Sequence, residues 1–399
     1  MDAIQKRIAE MNQRVKGLKT GGVYFYLQPL DGLDGAWVSS SGRRMLNFAS
    51  YSYLGLLGHP RIEKAAQEAI SRYGTGTHGV RILAGSLPLH VELEQTIARF
   101  KKAEAAIVYS SGYVANLTTV STLVGRDDVV ICDKCNHASI VDGCLLSGAK
   151  FLRFRHNDMA DFERRLQQVA PQCGKLVVVD AVFSMDGDVI DLPEVSRLCR
   201  KYDALLMVDE AHSLGVLGQT GHGIEEHFGI TDAIDIQMGT LSKTIPSVGG
   251  YVAGSHELIT YLKHAARAFV FSAALPPPQV AAAQASFEVI AAEPERVEAL
   301  RQNIVLFLSG LRARGFDTLN SETPIVPIIC GTDEQAYQMA GLCQAEGIFV
   351  LPVVSPAVPV GLARLRANVT AAHTAADIAY ALDIFERAGK QSGIIPAHA

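Results

Sequence analysis

The sequence lacks any long uncharged apolar run of the kind that crosses a membrane or forms a signal peptide. The first twenty residues, MDAIQKRIAEMNQRVKGLKT, carry charges throughout, with apolar residues at helical spacing. The longest apolar tract, AFVFSAALPPPQVAAAQASF, contains three consecutive prolines, which would remove backbone donors from a spanning helix. These absences argue against export and membrane insertion, and we expect a cytoplasmic protein.

The sequence also lacks a strong positive charge and an even set of cysteines. A net charge of −5 and a pI near 6.2 provide no basic stripe for nucleic acid, so small molecules are the expected partners. Seven scattered cysteines favour a reducing compartment over a disulfide framework. Cys132, Cys135 and His137 suggest a zinc or redox site, but no second cysteine pair completes a tetrahedral set, so we predict no metal.

Apolar residues are abundant and occur in short runs. With 399 residues and 48% hydrophobic content, the chain can bury a large core and is expected to form two lobes. From about residue 105, β-rich runs alternate with helical patterns, which predicts an α/β fold with a mostly parallel sheet covered by helices. The predicted strands are AAIVYS, DVVICD, KFLRF, KLVVVDAVF, ALLMVDE, AIDIQM, GYVAGS and FVFSAA.

A smaller α+β lobe is predicted after the prolines at 276–278. Its strands are PIVPIIC, GIFVLPVV and ARLRANV, and Thr374 with Asp377 forms a capping pair that starts a final helix. We expect an N-terminal segment over residues 1–45, a large cofactor-binding domain over 46–285 and a small C-terminal domain over 286–399.

One glycine motif suggests a nicotinamide site but lacks the necessary context. GTGTHG at 74–79 matches G-x-G-x-x-G, yet it follows the helical pattern RIEKAAQEAISRY instead of a strand. We therefore predict a glycine-rich loop near an active site and not a Rossmann dehydrogenase.

Four polar segments follow predicted strands of the large lobe. They are YSSGYVAN at 109–116, NHASIVDG at 136–143, VDEAHS at 208–213 and GTLSKTIPSVGG at 239–250. Open α/β sheets bind ligands at the carboxyl ends of their strands, so these segments are expected to meet in one crevice.

Lys243 is the candidate nucleophile among them. A lysine in a partly desolvated pocket has a lowered pKa and attacks a carbonyl to form a Schiff base. A loop lysine that points into water is the ordinary alternative. A Ser–Lys hydrolase that uses Ser242 is a third, although no G-x-S-x-G element accompanies it.

Three further side chains suit an aromatic, charged cofactor. Asp209 closes an apolar strand, where its carboxylate needs a partner such as a pyridinium nitrogen; a helix N-cap is an equal alternative. His212 has the reach to bind a phenolate oxygen of the same ring, and His137 offers a flat face for stacking. Each histidine taken alone has a purely structural alternative.

The segment YSSGYVAN supplies an anion site. Ser110, Ser111 and Gly112 lie between a strand and a helix, where free N–H groups and the helix dipole suit a phosphate; a plain serine N-cap is the alternative. A carbonyl-forming lysine, a carboxylate for a ring nitrogen, a stacking histidine and a phosphate cup together describe pyridoxal 5′-phosphate (PLP).

At this point the sequence resembles the α-oxoamine synthases, a family of fold-type I PLP-dependent transferases. The resemblance covers nearly the whole chain and is carried by YLGLLGHP, YGTGTHGVRILAG, YSSGYVANL, NHASIVDG, VFSMDGD, VDEAHSLGVLG, GTLSK, FVFSAALPP and PAVPVGLARLRANVTAAHT. It implies a large domain with a mostly parallel sheet, a smaller α+β C-terminal domain and a homodimer with shared active sites.

The resemblance also implies roles for individual residues. Lys243 would carry the cofactor and act as the catalytic base, with Asp209, His137 and His212 as the other catalytic residues. The implied cofactor-binding set is Ser111, Gly112, Tyr113, His137, Ser184, Asp209, His212, Thr240, Ser242, Lys243 and Ser272, the last reaching the phosphate of the neighbouring subunit. Arg366 would bind the amino-acid carboxylate, and Arg364 is expected on the opposite side of its strand.

The implied reaction condenses a small amino acid of the glycine, alanine or serine class with an acyl thioester, usually with decarboxylation, to an α-amino ketone. The donor is acyl-CoA or an acyl-carrier protein. The serine palmitoyltransferase branch is the leading interpretation. Alternatives are the aminoketobutyrate CoA ligase branch, another PLP reaction such as aminotransfer, and a non-catalytic subunit.

One position departs from the family pattern. Ser52 stands where the family usually has asparagine before Tyr-Leu-Gly, in contact with the substrate carboxylate. A hydroxyl has a shorter reach than a carboxamide, so the amino-acid substrate is expected to be recognised differently.

Overall fold

A computed structural model describes residues 2–397 as three sheets surrounded by helices. The strands are β1 Gly32–Asp34, β2 Trp37–Ser40, β3 Arg43–Asn47, β4 Ala105–Tyr109, β5 Val129–Asp133, β6 Lys150–Phe154, β7 Lys175–Asp180, β8 Leu205–Asp209, β9 Ile236–Thr240, β10 Gly250–Gly254, β11 Ile325–Gly331, β12 Ile348–Phe349, β13 Pro352–Val353 and β14 Ala363–Asn368. The helices are α1 Ala3–Thr20, α2 Pro60–Tyr73, α3 Pro88–Lys101, α4 Gly112–Leu123, α5 Ala138–Ser147, α6 Met159–Gln167, α7 Leu192–Lys201, α8 Ile224–Phe228, α9 His256–Ala265, α10 Arg267–Val270, α11 Pro277–Ala292, α12 Glu295–Ala313, α13 Asp333–Ala345 and α14 Ala375–Gln391.

The central sheet has seven strands in the order β4-β10-β9-β8-β7-β5-β6. Strands β6, β5, β7, β8 and β9 run parallel, and β10 is antiparallel to both of its neighbours. Every residue of β5, β7 and β9 is buried, as in parallel strands covered by helices on both faces. The predicted α/β fold with a mostly parallel sheet is therefore confirmed.

The central strands end in polar residues at one edge of the sheet. Asp133 closes β5, Asp180 closes β7, Asp209 closes β8 and Thr240 closes β9. Asp180 and Asp209 are direct cross-strand neighbours. Parallel strands bring these carboxyl ends to the same edge, so the polar segments that follow them share one crevice.

The two smaller sheets bring distant parts of the chain together. Strands β11, β14 and β13 form an antiparallel sheet, and helices α12 to α14 contribute to the core around it. In the other sheet, β1, β2 and β3 near the N-terminus are joined by β12, with Ile348 opposite Leu46 in parallel register. The predicted C-terminal strands are thus present. The division at residue 285 stays a prediction.

The predicted strand FVFSAA is wrong. Its first residues lie in α10, and only Ala273 makes an isolated bridge, to Val80. The buried Phe269 packs edge-on against Tyr109 with ring centroids 6.1 Å apart, in place of strand pairing. A short apolar run does not distinguish a strand from a buried helical turn, and the prolines from Pro276 onward limit its length.

Two sequence-level expectations about helices are confirmed. Helix α2 precedes GTGTHG and ends with Gly74 at positive φ, so the strand that a dinucleotide site needs is absent there. Helix α14 begins with the predicted capping box between Thr374 and Asp377.

Helix α1 has no buried residue. Within residues 2–397, no helix is long and apolar enough to span a membrane.

Candidate active site

The four polar segments meet around a cavity of about 240 Å³ at the carboxyl edge of the central sheet. Each segment contributes side chains, and the turn after β7 adds more. The lining residues are Ser111, Gly112, Tyr113, Asn116, His137, Ser139, Asp180, Val182, Ser184, Asp209, Ala211, His212, Met238, Thr240, Ser242 and Lys243.

Lys243 follows β9 and turns its amine into this cavity. Its Nζ lies 2.8 Å from Nε2 of His212. Burial lowers the pKa of Lys243 to about 8; the Asp209 carboxylate opposes this shift and the Arg366 guanidinium adds to it. The amine is therefore neutral in roughly a tenth of the molecules at pH 7, far more than for a lysine that points into water.

His212 is fully enclosed between Lys243 and a tyrosine. Its Nδ1 lies 2.8 Å from the hydroxyl of Tyr53, which is itself 0% exposed. Burial holds the pKa of His212 well below its usual range, and the positive charges of Lys243 and Arg366 act in the same direction. The imidazole is therefore neutral at physiological pH.

Asp209 is a buried carboxylate with donors on both oxygens. Its Oδ1 accepts from the N–H of Ala211 at 2.8 Å, and its Oδ2 accepts from Nδ2 of Asn116 at 2.7 Å. Asn116 also donates to Ser139 Oγ at 2.9 Å. The contact with Ala211 is local to the chain, whereas Asn116 belongs to α4. Each oxygen retains lone-pair capacity for a ligand donor.

Asp180 is a second buried carboxylate beside the first. Its Oδ2 accepts from the N–H of His137 at 2.9 Å. Burial raises the pKa of Asp180 well above its usual range, and the neighbouring Asp209 raises it further. The protonated form of Asp180 is therefore favoured at the end of β7.

His137 combines a structural contact with a place in the cavity wall. It is the N-cap of α5, with Nδ1 accepting from the N–H of Ser139 at 3.3 Å. Burial lowers its pKa, so the ring is neutral. The ring of Tyr113 meets it edge-on, with centroids 6.2 Å apart. His137 therefore has the structural role of an N-cap and also lines the cavity.

The start of α4 forms a tight cradle. Ser111 is the N-cap, and its Oγ accepts from the N–H of Val114 at 3.1 Å, which leaves the N–H groups of Gly112 and Tyr113 without a protein acceptor in the described part of the chain. A Cβ on Gly112 would lie 2.9 Å from Oγ1 of Thr240. Only glycine fits at this close approach, and two free N–H groups at a helix N-terminus suit an anion.

Two hydroxyls after β9 face the same region. Thr240 Oγ1 lies 2.9 Å from Ser242 Oγ and also donates to the carbonyl of Gly249 at 3.1 Å. Ser242 is exposed, whereas Thr240 is buried. Both residues line the cavity, as the sequence predicted for this segment.

Arg366 lies on β14, outside the residues that line the cavity but close enough to influence Lys243. Its Nε donates to the carbonyl of Ser184 at 2.6 Å, and its Nη1 donates to Asn368 Oδ1 at 3.1 Å. The guanidinium stands 5.0 Å from the ring centre of Tyr51, and Lys243 Nζ stands 5.9 Å from the same ring. One aromatic ring thus connects the arginine to the lysine.

The expected orientation of Arg364 is wrong. Its Nη1 donates to the carbonyl of Met185 at 2.9 Å and pairs with Asp186, on the segment that also meets Arg366. Side chains alternate along a strand with a period of two, so residues two apart share a face. Arg364 and Arg366 are therefore on the same side of β14.

Besides Arg366, three predicted residues lie outside the cavity wall. Ser272 and Ser110 line a separate small cleft with Arg81 and His90. Ser52 precedes Tyr53, and its buried Oγ has no hydrogen-bond partner among the described residues. The structure of a single chain thus brings together the lysine, the aspartate and the two histidines, but not Ser272.

Sequence reasoning missed four residues that shape the site. They are Asn116 and Asp180, which contact Asp209 and His137, and Tyr51 and Tyr53, which contact Arg366, Lys243 and His212. Asn116 lies within YSSGYVAN, a segment that follows a predicted strand, so its position could have indicated a place in the site. The tyrosines adjoin Ser52, but no local pattern links them to residues more than a hundred positions away.

Similarity to known proteins extends over the whole chain. Residues 43–385 match the family model Aminotransferase class I and II. The chain is 44% identical over 386 residues to an 8-amino-7-oxononanoate synthase from Thermoanaerobacter pseudethanolicus, covering 96% of this chain and 98% of that one. It is 43% identical to a serine palmitoyltransferase from Sphingobacterium spiritivorum, covering 98% of each.

Solved structures give the same result in three dimensions. A serine palmitoyltransferase from S. paucimobilis, solved with a bound PLP–myriocin aldimine, superposes with a TM-score of 0.96 at 34% identity, covering 99% of this chain and 100% of that one. A serine palmitoyltransferase from Sphingomonas wittichii also superposes with a TM-score of 0.96 at 34% identity, again covering 99% and 100%. The similarity therefore covers nearly the whole chain, including the elements that form the cavity.

Proposed function

The chain belongs to the aminotransferase class I and II family and, within it, to the α-oxoamine synthases, and from this premise we propose that it condenses serine with a long-chain acyl thioester. It is a PLP-dependent C-acyltransferase. The observation that carries the proposal for this site is Lys243, whose buried amine lies among Asp209, His212 and Arg366.

The residues of the cavity fit PLP. Gly112 and Tyr113 would hold the phosphate with their free N–H groups, in the cradle that a side chain on Gly112 would fill. Asp209 would face the pyridine nitrogen with its remaining lone pairs, and His137 would lie against the ring. Bound PLP supplies an aldehyde for the amino group and an electron-withdrawing ring for the α-carbon.

Lys243 has two tasks in this proposal. Its amine would hold the cofactor at the aldehyde carbon at rest, and once the amino acid has taken that place, the freed neutral amine would accept the α-proton at Nζ. A pKa of about 8 keeps a usable neutral fraction at physiological pH. His212, 2.8 Å away, is a neutral neighbour and therefore adds no positive charge beside the amine.

The carboxylate pair sets the charge beneath the ring. Asn116 and the Ala211 N–H both donate to the Asp209 carboxylate and hold it in place, and its remaining lone pairs would accept from the ring nitrogen. The protonated form of Asp180 is favoured, since burial and the neighbouring Asp209 raise its pKa. A protonated Asp180 would add no negative charge beside Asp209.

Arg366 would receive the amino-acid carboxylate. The carbonyl of Ser184 and Asn368 occupy its Nε and Nη1, which fixes the guanidinium plane and leaves donors of its outer edge for a carboxylate. Tyr51 separates Arg366 from Lys243, so the α-carbon would lie near this ring.

Serine is proposed because the whole-chain superposition is with serine palmitoyltransferases. A second candidate is the reaction type of the 8-amino-7-oxononanoate synthases, which is supported by the 44% identity to such a relative. The two differ in amino acid and acyl chain. An acyl-carrier protein in place of CoA and an aminoketobutyrate-ligase type of reaction are further alternatives.

A homodimer is part of the proposal. Ser272 lines a cleft separate from the Lys243 cavity, which supports the expectation that it serves the phosphate of a neighbouring subunit. The seven free thiols support a reducing, cytoplasmic location.

The test combines spectroscopy with product release. We expect the purified yellow protein to change its visible spectrum with serine and then to release free thiol when a long-chain acyl-CoA is added. Lys243→Ala should abolish borohydride fixation of PLP, whereas the exposed Lys134→Ala should leave it intact. A response to alanine with thiol release only from a shorter acyl donor would select the second candidate. Fixation of PLP at another lysine would contradict the site.

A further inference from the structure

Tyr53 begins a chain of hydrogen bonds that ends at Lys243. Its side chain is 0% exposed, and its Oη lies 2.8 Å from His212 Nδ1. The other ring nitrogen of His212, Nε2, lies 2.8 Å from Lys243 Nζ. The buried Tyr53 and His212 and the half-buried Lys243 are therefore connected in series, and the position of the proton on His212 affects both of its neighbours.

The direction of the first bond follows from the available acceptors. Burial raises the pKa of Tyr53, so the phenol keeps its proton. Within residues 2–397 the one acceptor that its hydroxyl meets is His212 Nδ1, and its other polar neighbour, the Arg366 guanidinium, has only donors. The Tyr53 hydroxyl therefore donates to Nδ1.

The direction of the second bond follows from the first. His212 is neutral, so it carries a single N–H, and Nδ1 is occupied as an acceptor. The N–H must then lie on Nε2, which faces Lys243 Nζ. A hydrogen bond between these two atoms now requires Lys243 to accept, and only the neutral amine has a lone pair for this.

We propose that Tyr53 is a positioning residue that holds His212 in its Nε2–H tautomer and thereby favours the neutral amine of Lys243. The inference rests on the proposed function, in which Lys243 acts as a neutral amine. The charged and titratable groups that face Lys243 or His212 from the surrounding elements are Asp180, Asp209, His137, Arg366 and Tyr51. Of these, Arg366 also meets the Tyr53 hydroxyl, so a His212→Gln background is needed to separate an effect through Arg366 from one through His212.

Tyr53→Phe tests the proposal through the pKa of Lys243. Without the hydroxyl, His212 is free to carry its proton on Nδ1 and to accept from the ammonium form at Nε2, so the pKa of Lys243 rises. We expect the midpoint to move up by about one pH unit, a tenfold change in proton affinity. The readout is the rate at which added PLP combines with the cofactor-stripped protein across pH, since only the neutral amine attacks the aldehyde.

The holoenzyme provides a second readout and a matched control. The acid limb of kcat should move in the same direction as the recombination midpoint. Tyr251→Phe removes another fully buried hydroxyl, one with no hydrogen-bond partner in the described structure, and should leave both midpoints unchanged. A merely structural loss would lower the rate equally at every pH.

Two results would overturn the proposal. One is an unchanged midpoint in a folded Tyr53→Phe protein. The other is an equal upward shift from Tyr53→Phe in a His212→Gln background, because an effect routed through His212 must disappear there. If Tyr53→Phe does not fold, ¹⁵N-histidine NMR of the wild-type cofactor-stripped protein decides, because Lys243 is then a free amine: a proton on Nε2 of His212 supports the tautomer, and a proton on Nδ1 contradicts it. Failure of the proposed function would appear separately, as a wild-type protein without bound PLP.

Discussion

Replacing Arg366 by alanine is the most informative perturbation of substrate binding. The guanidinium is 8% exposed on β14 and is held by the carbonyl of Ser184 and by Asn368. Because these contacts fix its plane, little ordering is needed when a carboxylate binds. Arg366→Ala removes the donors and also the positive charge that lowers the pKa of Lys243.

The size of the effect follows from the number of contacts. A charge-assisted hydrogen bond to a carboxylate contributes about 1.5–3 kcal/mol, so losing this contact should raise the amino-acid KM roughly 10- to 150-fold. The second effect has a definite sign. Removing a cation that lowers the pKa of Lys243 lets that pKa rise above about 8, so the acid limb of the pH profile moves to higher pH.

Steady-state kinetics with the amino acid varied, measured from pH 6 to 10 by thiol release, checks both effects. Arg364→Ala is the matched control, because Arg364 lies on the same face of the same strand but contacts Met185 and Asp186. It should change KM little. If both variants raise KM equally, Arg366 acts only by bracing the 184–186 segment, and its role as carboxylate ligand is refuted.

Two further predictions concern glycines. Gly112→Ala should weaken PLP binding at least tenfold in a cofactor titration, because its Cβ would lie 2.9 Å from Thr240 Oγ1. The control is Gly143→Ala, at another tight helical position outside the cavity wall, which should leave PLP affinity unchanged. If both variants lose PLP affinity equally, the phosphate cradle at Gly112 is contradicted. Gly187→Ala should destabilise the fold by roughly 3 kcal/mol in urea unfolding, because φ is +75° and the new Cβ would lie 2.0 Å from the carbonyl oxygen of Ile325. Gly58→Ala, at a similar φ of +79° in open space, should lose only about 1 kcal/mol, and equal losses would show that the clash is relieved by backbone movement.

Local patterns in the sequence determined the sheet and the positions of the polar segments. Short apolar runs that alternate with helical periods specify parallel strands, because both faces of such strands are covered. The residue at the end of each strand then has a defined location, and Asp209 and Thr240 lie at the predicted edge. The run FVFSAA has a similar apolar pattern, but it is short and followed by prolines, and its first residues form a helical turn.

Only the tertiary structure decided which side chains touch and in which protonation state. Tyr53 and His212 are 159 positions apart, and Arg366 and Ser184 are 182 apart, so no local spacing encodes their contacts. The lowered pKa of Lys243 arises from burial and from the positive charge of Arg366 on another element, against the opposing effect of Asp209. The identity of a residue determines which hydrogen bonds it can form and whether it can ionise. Desolvation and the distances between groups exist only in the folded chain, and they determine which of these bonds and charge states occur.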